Sequence, residues 1–207
     1  MTITQNKFLI DGTAGKIEGI THLPDVPVRA IAVVAHPLST MGGTMDNKVV
    51  TTLAKTFAEL GFAALRFNFR GVGQSAGEFD DGNGEVDDVL AVVRHARQKH
   101  GDLSLVLCGF SFGAYVQARA SQHLHPQPHR LVLVAPAVGR FAMPQVPHDT
   151  LLIHGELDEV VPLADMLDWA RPQHLSVVVV PEAGHFFHGR LAQIRDIVRH
   201  HFTGHQP

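Results

Sequence analysis

The sequence lacks several features that are typical of disulfide-bonded, membrane-spanning or secreted proteins. Its 207 residues include one cysteine, Cys108, so a disulfide cannot form within the chain. A single cysteine is typical of a reducing compartment, and we expect a cytoplasmic location. No run of about 18 apolar residues is present, so we expect no membrane-spanning helix. The first residues also lack the basic and apolar regions of a signal peptide.

An excess of charge of either sign is also lacking. The formal net charge is −3 at pH 7 and the sequence pI is about 6.6, so no basic field is available to bind a nucleic-acid backbone. The 15 histidines are scattered and show no His-x-x-x-His pair with a glutamate, the spacing of a metal site. A nucleotide-binding loop followed by Lys-Ser or Lys-Thr is missing as well. We therefore expect no nucleic acid, membrane, metal or cofactor as a partner, and the oligomeric state stays open.

What the sequence does contain is the pattern of an α/β protein. Apolar residues make up 45% of the chain, and its length suits one domain over residues 1–207. A short hairpin precedes a regular alternation of strands and helices, which is typical of a mostly parallel, twisted sheet with helices on both faces. The predicted strands are Lys7–Asp11, Lys16–His22, Ala30–Ala35, Phe62–Phe67, Leu103–Cys108, Arg130–Ala135, Thr150–His154 and Leu175–Val180. The predicted helices are Asn47–Leu60, Glu85–Lys99, Ala114–Leu124, Leu163–Ala170 and a last one that begins at Phe186 or Gly189 and ends at His201.

Several polar residues are predicted to shape the ends of these elements. Asp46 is the expected N-terminal cap of the first helix. Arg66, Asn68 and Arg70 alternate with phenylalanines at the end of a strand. We expect these three side chains to anchor the following loop by hydrogen bonds rather than to bind an acidic substrate. The tail at Thr203–Pro207 is expected to be frayed.

The most informative stretch of the sequence runs from Leu103 to Tyr115. An apolar strand that includes Cys108 is followed by Gly-Phe-Ser-Phe-Gly and then by a helical pattern. Gly-x-Ser-x-Gly between a strand and a helix is typical of a nucleophile elbow, in which the glycines leave room for a tight, strained turn. The motif alone also fits an ordinary loop, but its flanking elements favour the elbow, with Ser111 as the nucleophile. Cys108 is interpreted as a small buried apolar residue.

A serine nucleophile requires a base, and the base requires a carboxylate that orients it. His185 follows the last predicted strand, and Asp158 follows the strand before it. Because the carboxyl ends of parallel strands meet at one edge of a sheet, Ser111, Asp158 and His185 are expected to converge. The competing candidates are His188 for the base and Glu156, Glu159 and Asp165 for the acid. His154 is expected to have a packing role.

The negative oxygen formed during such a reaction needs two N–H donors. The first predicted donor is the backbone amide of Phe112, directly after the nucleophile. The second is expected in the loop after Ala30–Ala35. Pro37 in that loop has no N–H, so Leu38 is the first available donor. The alternative is that this loop only connects a strand to a helix.

Together these segments resemble the α/β-hydrolase superfamily, in particular small, lid-poor bacterial serine hydrolases distantly similar to dienelactone hydrolases. The resemblance covers nearly the whole chain and is carried by residues 35–38 and 42–48, residues 66–77, the elbow, and residues 184–187. It implies an α/β-hydrolase fold without a large cap domain, a triad of Ser111, Asp158 and His185, and oxyanion donors at Phe112 and Leu38. Dienelactone hydrolases carry cysteine at the elbow, so the resemblance does not extend to lactone hydrolysis by that route.

The span after the strand at Arg130–Ala135 predicts an open site. It contains 14 residues from Pro136 to Asp149, too few for a helical cap, which favours small or short-chain acyl substrates. Candidate apolar walls are Phe110, Phe112, Phe141, Met143 and Phe186. We expect a hydrolase of small-molecule esters that forms an acyl-enzyme. Hydrolysis of thioesters, lactones or amides and acyl transfer would use the same residues, and a non-enzymatic binding module on this fold is the alternative from another class.

Overall fold

An eight-stranded sheet lies at the centre of the structure, a computed structural model that describes residues 2–204. The strands are β1 (Ile3–Gly12), β2 (Gly15–Pro24), β3 (Ala30–Ala35), β4 (Phe62–Phe67), β5 (Ser104–Phe110), β6 (Arg130–Val134), β7 (Leu151–Gly155) and β8 (Val177–Val180). Their order across the sheet is β1-β2-β4-β3-β5-β6-β7-β8. β2 is antiparallel to both of its neighbours, and β3 to β8 are parallel. The prediction of a mostly parallel sheet is confirmed.

Helices cover both faces of this sheet. They are α1 (Lys48–Glu59), α2 (Asn83–His100), α3 (Phe112–Ser121), α4 (Leu163–Ala170) and α5 (Leu191–Thr203). α1 and α5 pack on one face, and α2, α3 and α4 pack on the other. Alternate residues of β3 point into the two cores, which explains why this strand is apolar throughout. Among the described residues, no helix has both the length and the apolarity needed to cross a membrane.

The predicted element boundaries differ from the observed ones mainly at the ends. β5 continues to Phe110 and α3 begins at Phe112, so a single residue separates them. The last helix begins at Leu191, later than predicted, because Phe187 and Gly189 have φ angles of 51° and 72° that no helix can continue through. Short 3-10 helices at Ser39–Met41 and Arg171–Gln173 were not predicted. Of the predicted frayed tail, Thr203 instead ends α5, and residues 205–207 lie outside the described chain.

The N-terminal cap of α1 is Asn47, so the prediction that Asp46 caps this helix was wrong. The Asn47 side chain accepts a hydrogen bond from the amide of Val49 at 2.9 Å. Asp46 instead forms an ion pair with Arg66 in β4. Arg66 also donates to the carbonyl oxygen of Met45 at 2.9 Å. The buried arginine therefore draws Asp46 away from the helix and fixes the entry to α1.

Arg70 anchors the loop after β4 to helix α2. Its Nε and Nη2 atoms donate to the two carboxylate oxygens of Asp88 at 3.1 and 2.9 Å, and its own amide donates to Asp88 Oδ2 at 3.0 Å. Nη2 also donates to the hydroxyl of Thr13 at 3.0 Å. Burial works against the charge of Arg70, but the hydrogen bond to Asp88 and the negative charges of Asp88, Glu85 and Asp87 together outweigh it and raise the pKa of the guanidinium. This ion pair therefore has an anchoring role, as the sequence predicted for Arg70.

Replacing Asp88 with alanine is expected to lower the free energy of unfolding by about 3–5 kcal/mol, because it leaves Arg70 buried without its partner. Denaturation with urea would measure the loss. The matched control is Asp87→Ala, since Asp87 is the exposed neighbour on the same helix. We expect that control to change the stability by less than about 0.5 kcal/mol. Equal stabilities for the two variants would contradict the anchoring role.

The parallel strands place the loops that follow them along one edge of the sheet. β3, β5, β7 and β8 end at Ala35, Phe110, Gly155 and Val180. Each of these strands is followed by one of the segments that carry the predicted site residues. In open sheets of this type, ligands bind at the carboxyl edge. The topology therefore brings four segments distant in sequence to a common place.

Candidate active site

Ser111 occupies the sharp turn between β5 and α3. Its backbone has φ 56° and ψ −118°, a conformation that is rare and strained for a residue with a side chain. The Ser111 amide donates to the carbonyl oxygen of Val134 at 2.9 Å. A Cβ atom at Gly113 would lie 2.5 Å from the carbonyl oxygen of Ala35, and one at Gly109 would lie 2.3 Å from the oxygen of Gly113. The two glycines thus permit the close backbone contacts that hold the turn.

His185 lies within hydrogen-bond distance of both Ser111 and Asp158. Its Nε2 atom is 3.0 Å from Ser111 Oγ, and its Nδ1 atom is 2.8 Å from Asp158 Oδ2. An ionised carboxylate only accepts, so Nδ1 carries the proton and Nε2 is free to accept from the serine hydroxyl. The other carboxylate oxygen accepts from the amides of Val160 and Val161 at 2.9 and 2.7 Å. The arrangement fixes the tautomer and the orientation of the imidazole.

Asp158 keeps its negative charge although it is buried. Burial by itself raises the pKa of this carboxyl, but the hydrogen bonds from His185 and from the Val160 and Val161 amides outweigh it and lower the pKa. His154 lies nearby, with its Nε2 atom 3.6 Å from Asp158 Oδ2. Burial lowers the pKa of His154, and its Nε2–H donates to the Val161 carbonyl at 2.9 Å. His154 is therefore neutral. The imidazole that forms a hydrogen bond with the Asp158 carboxylate is that of His185.

The competing candidates lie away from Ser111. His188 is exposed, and Asp165 is exposed in the first turn of α4. Glu159 accepts a hydrogen bond from the backbone amide of His185 at 3.2 Å, and Glu156 accepts one from the amide of Glu182 at 2.9 Å. These two glutamates hold the loop after β8 in place. In the part of the chain that the structure describes, no group of histidine, cysteine or acidic side chains is arranged to bind a metal.

Leu38 and Phe112 carry the amides that the sequence predicts as oxyanion donors. Both residues line the same cavity as the serine, and within residues 2–204 neither amide donates to a backbone oxygen. The loop that carries Leu38 is held by His36, whose Nε2 accepts from the Phe69 amide at 3.0 Å and whose Nδ1 donates to the Pro37 carbonyl at 2.6 Å. Burial lowers the pKa of His36 to about 4, so it is neutral at pH 7. The neutral imidazole ties the Leu38 loop to the end of β4.

A cavity of about 200 Å³ opens beside Ser111 and His185. Of the predicted apolar walls, Phe112, Phe141 and Phe186 line it. Phe110 does not, because it is fully buried, with its ring centroid 5.1 Å from that of His185. Met143 does not line it either and packs against the core. The other lining residues are Pro37, Leu38, Met41, Gly42, Gly43, Asn47, Ala137, Arg140, Val160 and Val161.

A family model described as Serine aminopeptidase, S33, matches residues 27–147. The chain belongs to this family of α/β-hydrolases. An uncharacterized protein of Rickettsia prowazekii (strain Madrid E) is 32% identical to the hydrolase over 196 residues, which is 87% of this chain and 82% of that protein. The family is therefore shown by a sequence match as well as by the fold.

Two solved structures are also similar to the hydrolase. One is from Xanthomonas campestris and is described as an α/β serine hydrolase without lid. It has 41% identity and a TM-score of 0.92 and covers 100% of this chain and 97% of that one. The other, an α/β serine hydrolase homologue from Coxiella burnetii, has 38% identity and a TM-score of 0.84 and covers 96% of this chain and 98% of that one.

The hydrolase has no large cap domain over the site. The connection from β6 to β7 is described throughout and contains neither helix nor strand between residues 136 and 149. Phe186 is 42% exposed and Met41 is 71% exposed, so the cavity walls themselves face solvent. The prediction of a lid-poor α/β-hydrolase is confirmed.

Several residues that line the cavity of the hydrolase were not predicted from the sequence. Met41 and Val160 come from loops that carry no motif, and Asn47 lies in the segment 42–48 that supports the resemblance but predicts no site role for it. Arg140 lies in the short span between β6 and β7, which was interpreted only for its length. The sequence feature that could have indicated Arg140 is its position as a lone cation among apolar and small residues, in a segment that follows a strand at the carboxyl edge of the sheet. From the sequence, Glu159 is a candidate only for the role of Asp158, and its hydrogen bond with the His185 amide was not predicted.

Proposed function

We propose that this hydrolase cleaves carboxylic esters of small or short-chain acyl groups through an acyl-enzyme on Ser111. The observation that carries the proposal is the hydrogen-bonded line from Ser111 through His185 to Asp158. Ser111 and His185 line a cavity that Leu38 and Phe112 also line, and we assign the amides of these two residues as the oxyanion donors. Nucleophile, base, orienting acid and two donors are the complete set that ester hydrolysis requires.

In the first half of the reaction, Ser111 Oγ attacks the ester carbonyl carbon while its proton moves to Nε2 of His185. The carbonyl electron pair moves onto the oxygen, and the Leu38 and Phe112 amides hydrogen-bond the resulting anion. Phe112 is the first residue of α3, so the positive end of the helix dipole adds to this stabilisation. Asp158 stabilises the imidazolium. The bond to the alcohol oxygen then breaks, and the Nε2 proton passes to the departing alcohol.

In the second half, water takes the place of the alcohol. His185 accepts a proton from water as the water oxygen attacks the acyl carbon, and the same two amides bind the second oxyanion. The bond to Ser111 Oγ breaks, and the proton returns from Nε2 to the serine. The product is the carboxylic acid, and the free enzyme is restored. The open cavity supports this step because water reaches the acyl group directly.

An ester substrate fits the cavity better than the N-terminus of a peptide, although the family description names aminopeptidases. An aminopeptidase has to bind a protonated amino group, which calls for a carboxylate in the site. Among the described residues that line the cavity there is no acidic side chain, and Arg140 contributes a positive charge. Arg140 would repel an ammonium group. The charge of the cavity therefore supports a neutral or anionic substrate.

The proposal includes one domain over residues 1–207 that acts in the cytoplasm on a small molecule without a cofactor. Cys108 is buried in β5, and burial raises the pKa of its thiol. A thiol of this kind is unreactive. The elbow serine, not the neighbouring cysteine, is therefore the proposed nucleophile. One unreactive cysteine also supports a reducing compartment.

A series of p-nitrophenyl esters from acetate through butyrate and octanoate to dodecanoate tests this function. We expect hydrolysis with the highest kcat/KM for acetate or butyrate. Each additional methylene that is buried is worth about 0.8 kcal/mol, so a long enclosed site would raise kcat/KM steadily with chain length. The open cavity of about 200 Å³ buries only a few methylenes. Values that continue to rise beyond octanoate would contradict the short-chain assignment, and absence of hydrolysis across the series would contradict the esterase itself.

A further inference from the structure

Arg140 is a positive charge in the wall of the cavity that contains Ser111. It lies in the short connection between β6 and β7 and is exposed. Ser111, His185 and Arg140 line the same cavity of about 200 Å³. A small molecule that reaches the serine is therefore within reach of the guanidinium. The proposed reaction gives this side chain no task.

No carboxylate neutralises this arginine. Among the residues that the structure describes, none forms an ion pair with Arg140. Its Nη1 atom lies 3.4 Å from the thioether sulfur of Met41, and its guanidinium carbon lies 5.9 Å from the ring centroid of Phe141. Asp165 is the acid beside this segment, since its Oδ2 would lie 3.4 Å from a Cβ atom at Gly139, but it forms no ion pair with the guanidinium. One donor of Arg140 thus faces the Met41 sulfur, and the charge of the exposed guanidinium remains available to a ligand.

The rest of the cavity wall strengthens the effect of this charge. Its other lining residues are mainly apolar, and the described lining contains no aspartate or glutamate. Arg66, Arg70 and Arg130, by contrast, each pair with an aspartate. Arg29, Arg94, Arg97 and Arg119 also form no ion pair among the described residues, but of the unpaired arginines only Arg140 lines the cavity that contains Ser111. Guanidinium groups bind carboxylates through two parallel hydrogen bonds.

We infer that Arg140 selects small esters that carry a carboxylate close to the ester group. The inference rests on the proposed ester hydrolysis at Ser111 and specifies its substrate class. The substrate's carbonyl would lie at Ser111 with its oxygen toward the Leu38 and Phe112 amides. Its carboxylate would lie at Arg140. The carboxylate belongs either to the acyl part or to the alcohol part of the ester, and the two cases share the same recognition.

Two pairs of isosteric esters test the inference. In the acyl pair, monomethyl glutarate is compared with its methyl ketone analogue, in which an acetyl group replaces the carboxylate. In the alcohol pair, the acetate ester of γ-hydroxybutyrate is compared with the corresponding methyl ketone. The wild type is expected to favour the anionic member of at least one pair by about tenfold in kcat/KM, the range of a charge-assisted hydrogen bond near the surface. The pair that shows the preference identifies the part of the ester that carries the carboxylate.

The Arg140→Gln variant is expected to lose this preference, and Arg140→Glu is expected to reverse it. Arg94→Gln is the matched control, because Arg94 is exposed on α2 and does not line the cavity. It should retain the wild-type ratio of anionic to neutral kcat/KM. Raising the salt concentration should reduce the wild-type ratio, since salt screens an exposed charge.

The possible outcomes separate the role of Arg140 from the proposed ester hydrolysis at Ser111. Wild-type hydrolysis of the neutral esters with no preference for either anionic partner would overturn the role of Arg140 and leave the proposed esterase intact. The same would follow from a preference that survives in Arg140→Gln. Failure of the wild type to hydrolyse any of the four esters or p-nitrophenyl acetate would overturn the proposed function, and this inference with it.

Discussion

Replacement of Ser111 by alanine is expected to lower kcat for p-nitrophenyl acetate by about 10⁴-fold or more. The change removes the oxygen that attacks the ester and the hydroxyl that faces Nε2 of His185 at 3.0 Å. The fold should persist, because alanine keeps the Cβ atom and the backbone hydrogen bond to Val134. Steady-state kinetics would measure the loss of turnover, and circular dichroism would show that the variant is folded.

A serine at the far end of the helix that follows Ser111 provides the control. Ser121 is buried at the end of α3, where its hydroxyl donates to the carbonyl oxygen of Ala118 at 2.7 Å. Ser121→Ala should keep its activity. A fluorophosphonate probe should label the wild type and the Ser121→Ala variant but not Ser111→Ala. Wild-type turnover in a folded Ser111→Ala variant would assign the chemistry to another residue.

Replacement of Asp158 by asparagine is expected to lower kcat by about 10³–10⁴-fold with little change in shape. The carboxylate accepts the proton of His185 Nδ1 at 2.8 Å. An amide nitrogen at that position would itself donate, which favours the tautomer with its proton on Nε2. That imidazole is no longer able to accept a proton from Ser111. Kinetics with p-nitrophenyl acetate and thermal unfolding of the same preparation would separate this effect from loss of structure.

The control for this substitution is Asp165→Asn, which makes the same chemical change at an exposed carboxylate in α4. Its kcat should remain close to that of the wild type. A folded Asp158→Asn variant that retains more than a tenth of wild-type kcat would contradict the orienting role of Asp158. If Asp165→Asn lost activity instead, the rival acid considered from the sequence would be favoured.

The candidate site residues that lie in one continuous segment or shortly after a strand were predictable from the sequence. The elbow is one continuous segment, and its two glycines indicate that the backbone packs closely on both sides of Ser111. Asp158 and His185 follow consecutive parallel strands, so the topology of the sheet alone predicts that they approach the serine. In the structure His185 lies between the other two, 3.0 Å from Ser111 Oγ and 2.8 Å from Asp158 Oδ2. Continuous apolar strands likewise predicted a sheet buried on both faces.

Features that depend on contacts between distant loops were not predictable. Asp46 and Asn47 are both good helix caps, and the choice between them is made by Arg66 from β4. Met41, Arg140 and Val160 meet at one cavity although they lie in three separate connections. No spacing rule relates such positions, because loop conformations are set by tertiary packing. The charge of the cavity therefore became apparent only in the folded chain.

The close backbone contact between Gly113 and the end of β3 has an evolutionary consequence. The carbonyl oxygen of Ala35 would lie 2.5 Å from any Cβ at Gly113, so main-chain packing holds the start of α3 against the end of β3. The cavity walls, by contrast, are side chains on exposed connections, as at Met41 and Arg140. Mutations in these walls are therefore expected to change the preferred substrate while the backbone around the elbow keeps its position.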